Sequence, residues 1–180
     1  GHEVTDQQRE VEVEGVLGHQ DSLIDGVLVD CKSASGAGFV KFKTNTVAEN
    51  DPFGYIAQIS AYAHANNADR AAFLAIDKST GEICLSPVHK MDMINAEQRI
   101  RHLKTVVSND SLPDKCYSSV PDGKSGNYKL PVGCVYCGHK RDCWSDSNNG
   151  KGLRVFKYAR GKRFLTDVRK EPEVEEVVNW

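Results

Sequence analysis

The sequence has no long apolar run. Nowhere do about 18 apolar residues follow one another, which excludes a membrane-spanning helix. No charged-then-apolar leader opens the chain, and its first residues read as an internal start. An excess of one charge is lacking too. The 23 Lys and Arg stand against 25 Asp and Glu, a formal net charge of −2, so the molecule as a whole neither attracts nor excludes a polyanion. Internal repeats are absent, so the fold is not a tandem array. What is present suits a soluble globular protein: 180 residues, 39% hydrophobic and 27% charged, enough for one domain with a real core and a small appended module.

Val11 to Leu17 alternates apolar and polar (V-E-V-E-G-V-L), which predicts one half-buried strand. Ser22-Leu23-Ile24 and Val27-Leu28-Val29 flank Asp25-Gly26, a pair that predicts a tight hairpin, and the second run ends in Asp30-Cys31-Lys32. Ser33 to Gly38 is small and flexible and predicts a loop. Helical spacing predicts helices over Pro52 to Ala65 and Met91 to Val107, with strands at Ala71 to Ile76 and Ile83 to Val88 between them. Strand, strand, helix, strand, strand, helix predicts an α/β (α+β) layer, a mixed sheet flanked by helices. The expected division is a core over residues 1–110, a polar loop over 111–133, and a cysteine-rich, basic segment over 134–180 packing on the core.

Asp30 and Lys32 stand two apart on one strand, so the two-residue period puts them on one face. Hairpin pairing brings Asp21 beside them. Two carboxylates converging on a polar edge repel unless a divalent cation neutralises them, and an all-oxygen set suits Mg2+ or Mn2+. The peptide carbonyl of Cys31 faces the same place, and His19 is a further candidate ligand. A lysine beside such a site orients or deprotonates water, or steadies charge developing on a phosphate. A lone D-x-K is common on surface hairpins, so the reading leans on its context.

That context is Gly18-His19-Gln20-Asp21, eight residues, then Asp30-Cys31-Lys32-Ser33. It resembles the PD-(D/E)XK nuclease superfamily, in which G-x-x-D precedes a strand ending in (D/E)-x-K; Asp21 fits that pattern and Asp25 fits the turn. The RecB-like branch also carries Q-x-x-x-Y on the next helix, matched here by Gln58-Ile59-Ser60-Ala61-Tyr62, one turn apart on one face. The resemblance covers residues 10 to 145. It implies a restriction-endonuclease-like core that hydrolyses DNA phosphodiesters by in-line attack of water. Asp21 and Asp30 would hold Mg2+ or Mn2+, Lys32 would assist, and Gln58 and Tyr62 would flank the active site. Members of the branch are often exonucleases acting on single strands or duplex ends in recombination, repair or phage DNA metabolism. That implies the cytoplasm of a bacterium or phage-infected host, with recombination or phage replication proteins as companions. They also carry an upstream helix with a metal-binding Glu or His. Only His2 and Glu3 precede Asp6, so an N-terminally truncated chain with an incomplete metal site is expected.

Six cysteines lie at 31, 84, 116, 134, 137 and 143; without a secretory segment they do not read as disulfides. Cys134-x2-Cys137-x5-Cys143, followed by Trp144, sets three thiols close enough in sequence for zinc or part of an iron–sulfur cluster. The spacing resembles AddB-type and CRISPR-associated nucleases, whose [4Fe–4S] cluster takes three such cysteines and one upstream of the core. Cys116 or His139 would instead complete a zinc site, and reduced cysteines packed around Trp144 are the plain alternative. Cys31 and Cys84, and Cys116 where it is not a ligand, read as ordinary small buried residues.

From Lys151 to Lys170 eight bases face one acid, Asp167, and Phe156, Tyr158 and Phe164 lie among them. Arg154, Lys157, Arg160, Lys162 and Arg163 are the candidate DNA contacts, with a solvated basic surface as the alternative. An acidic tail follows. Two rivals to a metal-dependent DNA nuclease stand at this point: a binding module of the same fold without catalysis, and a zinc-ribbon interaction protein with an incidental D-x-K.

Overall fold

A computed structural model describes all 180 residues, which form two units, Gly1–Asn109 and Asp110–Trp180. The first opens with β1 (Val4–Thr5), then β2 (Glu10–Val13) and β3 (Val16–His19), which pair antiparallel as a separate ribbon. One strand was predicted across Val11–Leu17; it is two. Glu14 and Gly15 turn between them with φ of 51° and 73°. Glu14 fills a slot where alternation already wants a polar residue, so the pattern hides the turn.

β4 (Ser22–Ile24) and β5 (Val27–Ala34) form the predicted hairpin, with Asp25 and Gly26 at φ 49° and 72°, as a type I′ turn requires. β5 runs past the predicted loop start to Ala34. α1 (Ala37–Lys43) follows, a helix the sequence did not suggest. Gly36 and Gly38 depress its propensity and no side chain caps it, so burial of Phe39 and Phe42 is what holds it. α2 (Tyr55–Ala65) starts after Gly54, whose φ of 75° bars helix before it, rather than at Pro52.

β6 (Ala71–Asp77) pairs in parallel with β5 from Leu28↔Ala71 to Ala34↔Asp77, and β7 (Ile83–Val88) returns antiparallel along β6. α3 (Ala96–Val107) starts at its cap rather than at Met91: the Asn95 side chain accepts the Gln98 N–H at 2.9 Å. The sheet order is β1-β4-β5-β6-β7, a mixed five-stranded sheet flanked by helices. Its core joins Leu28, Ala71, Phe73, Ala75 and Val88 of the sheet to Phe39, Phe42, Val47, Ile56, Ile59 and Ala63.

In the second unit, β8 (Val120–Pro121) and β9 (Tyr128–Lys129) lie within the stretch expected to be loop. Strands of two residues carry no readable period. The helical turns α4 (Val132–Val135) and α5 (Lys140–Cys143) follow, then β10 (Arg154–Tyr158) and β11 (Gly161–Asp167). These strands form an antiparallel sheet in the order β10-β11-β9-β8. Leu130, Cys134, Trp144 and Leu153 form a buried cluster, and Val155, Phe156 and Leu165 are buried in the strands. No helix is long and apolar enough to cross a membrane.

Candidate active site

Alternation along β5 sends Leu28, Asp30 and Lys32 to the core face, where α2 lies, and Cys31 and Ser33 outward. Asp30 is only 3% exposed, and Lys32 is half-buried. The register Ser22↔Val29 sets Asp21 opposite Asp30, one step beyond the last pair of β4 and β5. Asp21 Oδ2 accepts the Cys31 N–H at 2.6 Å, and its Oδ1 accepts Gln8 Nε2 at 3.1 Å.

The Leu28 N–H donates to the Arg70 carbonyl, toward β6, so by alternation the Cys31 N–H points away from β6. The N–H and C=O of one strand residue address the same neighbour. The Cys31 carbonyl therefore faces the side where β4 has ended and Asp21 stands.

Lys32 Nζ sits 2.6 Å from Asp30 Oδ2, an ion pair on the buried carboxylate. The same ammonium donates to Gln58 Oε1 at 2.8 Å and lies 4.9 Å from the centre of the Tyr55 ring. Gln58 Nε2 reaches the Tyr62 hydroxyl at 3.5 Å. Burial pushes the Asp30 carboxyl above its ordinary range; Lys32 pulls against this and Asp21 adds to it. Desolvation and the same two carboxylates push the Cys31 thiol up.

Gly18 has a steric reason to be glycine. A Cβ there would lie 2.9 Å from Cε1 of Tyr62. The first residue of G-x-x-D thus makes room for the last residue of Q-x-x-x-Y.

Asp21, Asp30, the Cys31 peptide, Lys32, Gln58 and Tyr62 are therefore brought together. His19 is not: it is exposed on β3, 3.6 Å from Glu10, its partner across the ribbon. Two participants escaped the sequence reading. Tyr55 precedes Gln58 by three residues and so shares its helix face, a signal that was there to be read. Gln8 carries no local signal. The donor chemistry here is all oxygen, with buried Asp30, Asp21 and the Cys31 carbonyl adjoining one another, although no three Asp, Glu, His or Cys side chains converge into a metal-binding group.

In the second unit all cysteines are free, and Cys116, like Cys31, is exposed where a buried residue was expected. Cys116, Cys137 and Cys143 lie close enough to Cys134 that their ionisation would raise its pKa further. Burial pushes the Cys134 thiol up, and the Trp144 indole N–H directed at its sulfur opposes this. Burial also raises the Cys143 thiol, and Lys115 opposes this. The donor chemistry suits a thiolate metal. The ligand geometry is not closed, because no three Cys, His, Asp or Glu side chains converge into a metal-binding group. His139 begins α5 and makes no fourth ligand.

The basic candidates divide. Arg154 is held by Glu171 and Glu176, and Arg163 by Asp122 at 3.0 Å. Lys157, Arg160 and Lys162 are exposed around the β10–β11 turn. Phe156 is buried and Phe164 packs on Trp180, so neither offers a base-stacking face; Tyr158 is half-buried and carries the Arg163 guanidinium at 4.1 Å.

No family model matches the chain, and no curated protein matches it. Among solved structures, one titled "Crystal structure of SSO0001" aligns over 63% of this chain and 50% of its own at 13% identity, with a TM-score of 0.36. The chain thus matches half the length of that protein, and a likeness of this size carries no inference about activity.

Proposed function

We propose that the protein is a metal-dependent DNA nuclease with a restriction-endonuclease-like core, hydrolysing phosphodiester bonds at Asp21, Asp30 and Lys32. The observation that carries this reading is the convergence of three separately placed motifs at the end of β5, where Asp21 accepts the Cys31 N–H and Lys32 bridges buried Asp30 and Gln58. Asp21, Asp30 and the Cys31 carbonyl would hold Mg2+ or Mn2+, which when bound supplies Lewis-acid activation of the scissile phosphate. Lys32 stands ready to orient the attacking water or to steady charge on the phosphate oxygens. Gln58 fixes the direction of its ammonium, and Tyr55 supports the charge from one side. Asp30 must shed its proton to act as a ligand, so cation binding weakens as pH falls through its raised pKa. The substrate class is DNA in recombination, repair or phage DNA processing, met as single strands or duplex ends. We further assign the setting to the cytoplasm; Cys116, Cys134, Cys137 and Cys143 do not converge into a metal-binding group and are given neither a [4Fe–4S] cluster nor Zn2+.

One observation favours a second reading, a DNA-binding module of this fold without catalysis. His19 turns to Glu10, leaving Asp21 and Asp30 as the two carboxylates of the site, with no imidazole beside them.

The deciding experiment incubates end-labelled linear DNA and circular DNA with Mn2+, the parent protein, Asp30→Asn and Lys32→Ala, beside an EDTA lane. The parent should shorten the linear DNA, and each variant should lose about 10²–10⁴-fold in rate. Intact DNA in the parent lane with Mn2+ overturns the nuclease; bound but intact DNA selects the second reading.

A further inference from the structure

β10 is the outer strand of the second unit's sheet, and the segment Glu171–Val177 lies along its edge. The Lys157 N–H donates to the Glu175 carbonyl at 2.9 Å, and the Val177 N–H donates to the Val155 carbonyl at 2.7 Å. The acids of this strap match the bases of the strand. Arg154 Nη1 and Nη2 donate to the two oxygens of Glu171 at 2.9 and 2.6 Å, and its Nε donates to Glu176 Oε1 at 2.8 Å. Glu175, next in the alternation, falls to the other face and comes within 4.0 Å of Lys157. A guanidinium fork filled by carboxylates is the arrangement that the same fork offers to phosphate oxygens.

We propose that the strap is an internal competitor for nucleic acid. Its carboxylates occupy the Arg154 and Lys157 positions that a phosphate backbone would take, and a single strand binding along β10 displaces it. This rests on the reading that the basic segment meets nucleic acid, and not on the cleavage chemistry.

Three features argue for displacement rather than a fixed cover. Glu171 and Glu175 keep 64% and 72% of their side-chain surface in solvent, so water and salt compete for both carboxylates. At the hairpin end, Lys157 and Lys162 stand directly opposite one another, a like-charge pair that disfavours the empty strand ends and welcomes an anion. Arg160 adds a third exposed cation in the intervening turn, so an incoming strand has a foothold before the strap moves. Covering an edge strand requires backbone pairing alone. It does not require an acid for the cation on each face.

The test titrates a fluorescein-labelled oligothymidylate into the whole chain in EDTA at several salt concentrations. Glu171→Gln combined with Glu175→Gln and Glu176→Gln should bind roughly tenfold more tightly at low salt. The dependence of log K on log salt should steepen by about 1.4, for two freed phosphate contacts at about 0.7 each. In the parent, amide exchange at Lys157 and Val177 should accelerate when the oligonucleotide binds. The exchange measurement does not depend on how well the triple variant folds. Binding with those amides still protected, or a folded triple variant with unchanged affinity and slope, overturns the strap as competitor. Absence of binding by every protein overturns the nucleic-acid reading of the segment, whatever the cleavage assay shows.

Discussion

A carboxylate that is almost wholly buried works against the fold that contains it wherever its ion pair does not offset the lost hydration, as at Asp30. Burial raises the Asp30 pKa despite the nearby Lys32. The folded state therefore holds the proton more tightly than the unfolded chain. Without a cation, stability falls as pH rises from the unfolded pKa through the raised folded one. Asp30→Asn keeps the shape and removes the charge. It is expected to raise stability in EDTA at pH 8 by about 1 kcal/mol, the usual gain when a functional strain is relieved. The same variant should lose any Mn2+-dependent rise in Tm, because only the native carboxylate rewards the ion. Thermal melts with and without Mn2+ read both effects. A lower Tm for the variant in EDTA would mean that the contact with Lys32 outweighs the burial.

Between elements, the informative contact joins β3 to α2. Gly18 and Tyr62 leave no room for a methyl group, so Gly18→Ala is expected to cost about 1–3 kcal/mol through overpacking. In a Tyr62→Ala background the same change should cost little, and a double-mutant cycle by denaturant unfolding measures the difference. Equal costs in both backgrounds would place the strain elsewhere. This pair also marks what the sequence could convey. Asp30 and Lys32 were legible as sharing a face because the strand period is local, and Asp21 because Asp25-Gly26 names its turn. The β6 and β7 strands were legible from their apolar runs. α1 was not, since its glycines argue against a helix that only tertiary burial of Phe39 and Phe42 sustains. Gln8 was not, since its contact with Asp21 spans thirteen positions and follows no period. The link between Gly18 and Tyr62 was invisible for the same reason, although each belonged to a recognised motif.

At the scale of the molecule, the formal charge of −2 hides a division. Residues 1–109 carry ten Lys and Arg against fifteen acids, a net −5, and residues 110–180 carry thirteen against ten, a net +3. The unit with the proposed cation site is thus the acidic one, and the unit with the proposed phosphate contacts is the basic one. The four acids between Glu171 and Glu176 hold the second unit's charge down; without them it would stand at +7. Composition alone could not display this, because the two halves cancel. The division separates two measurable properties. Arg160→Glu combined with Lys162→Glu alters the hairpin of the second unit and leaves every proposed cation ligand untouched. It should weaken oligothymidylate binding about tenfold or more at low salt and leave the Mn2+-dependent rise in Tm intact. Asp30→Asn should do the reverse, abolishing the Mn2+ response while oligonucleotide affinity in EDTA holds. A hairpin variant that binds as tightly as the parent at the same salt would move the nucleic-acid surface off β10 and β11. One that also loses the Mn2+ response would show that cation binding and strand binding are not separable properties of the two units.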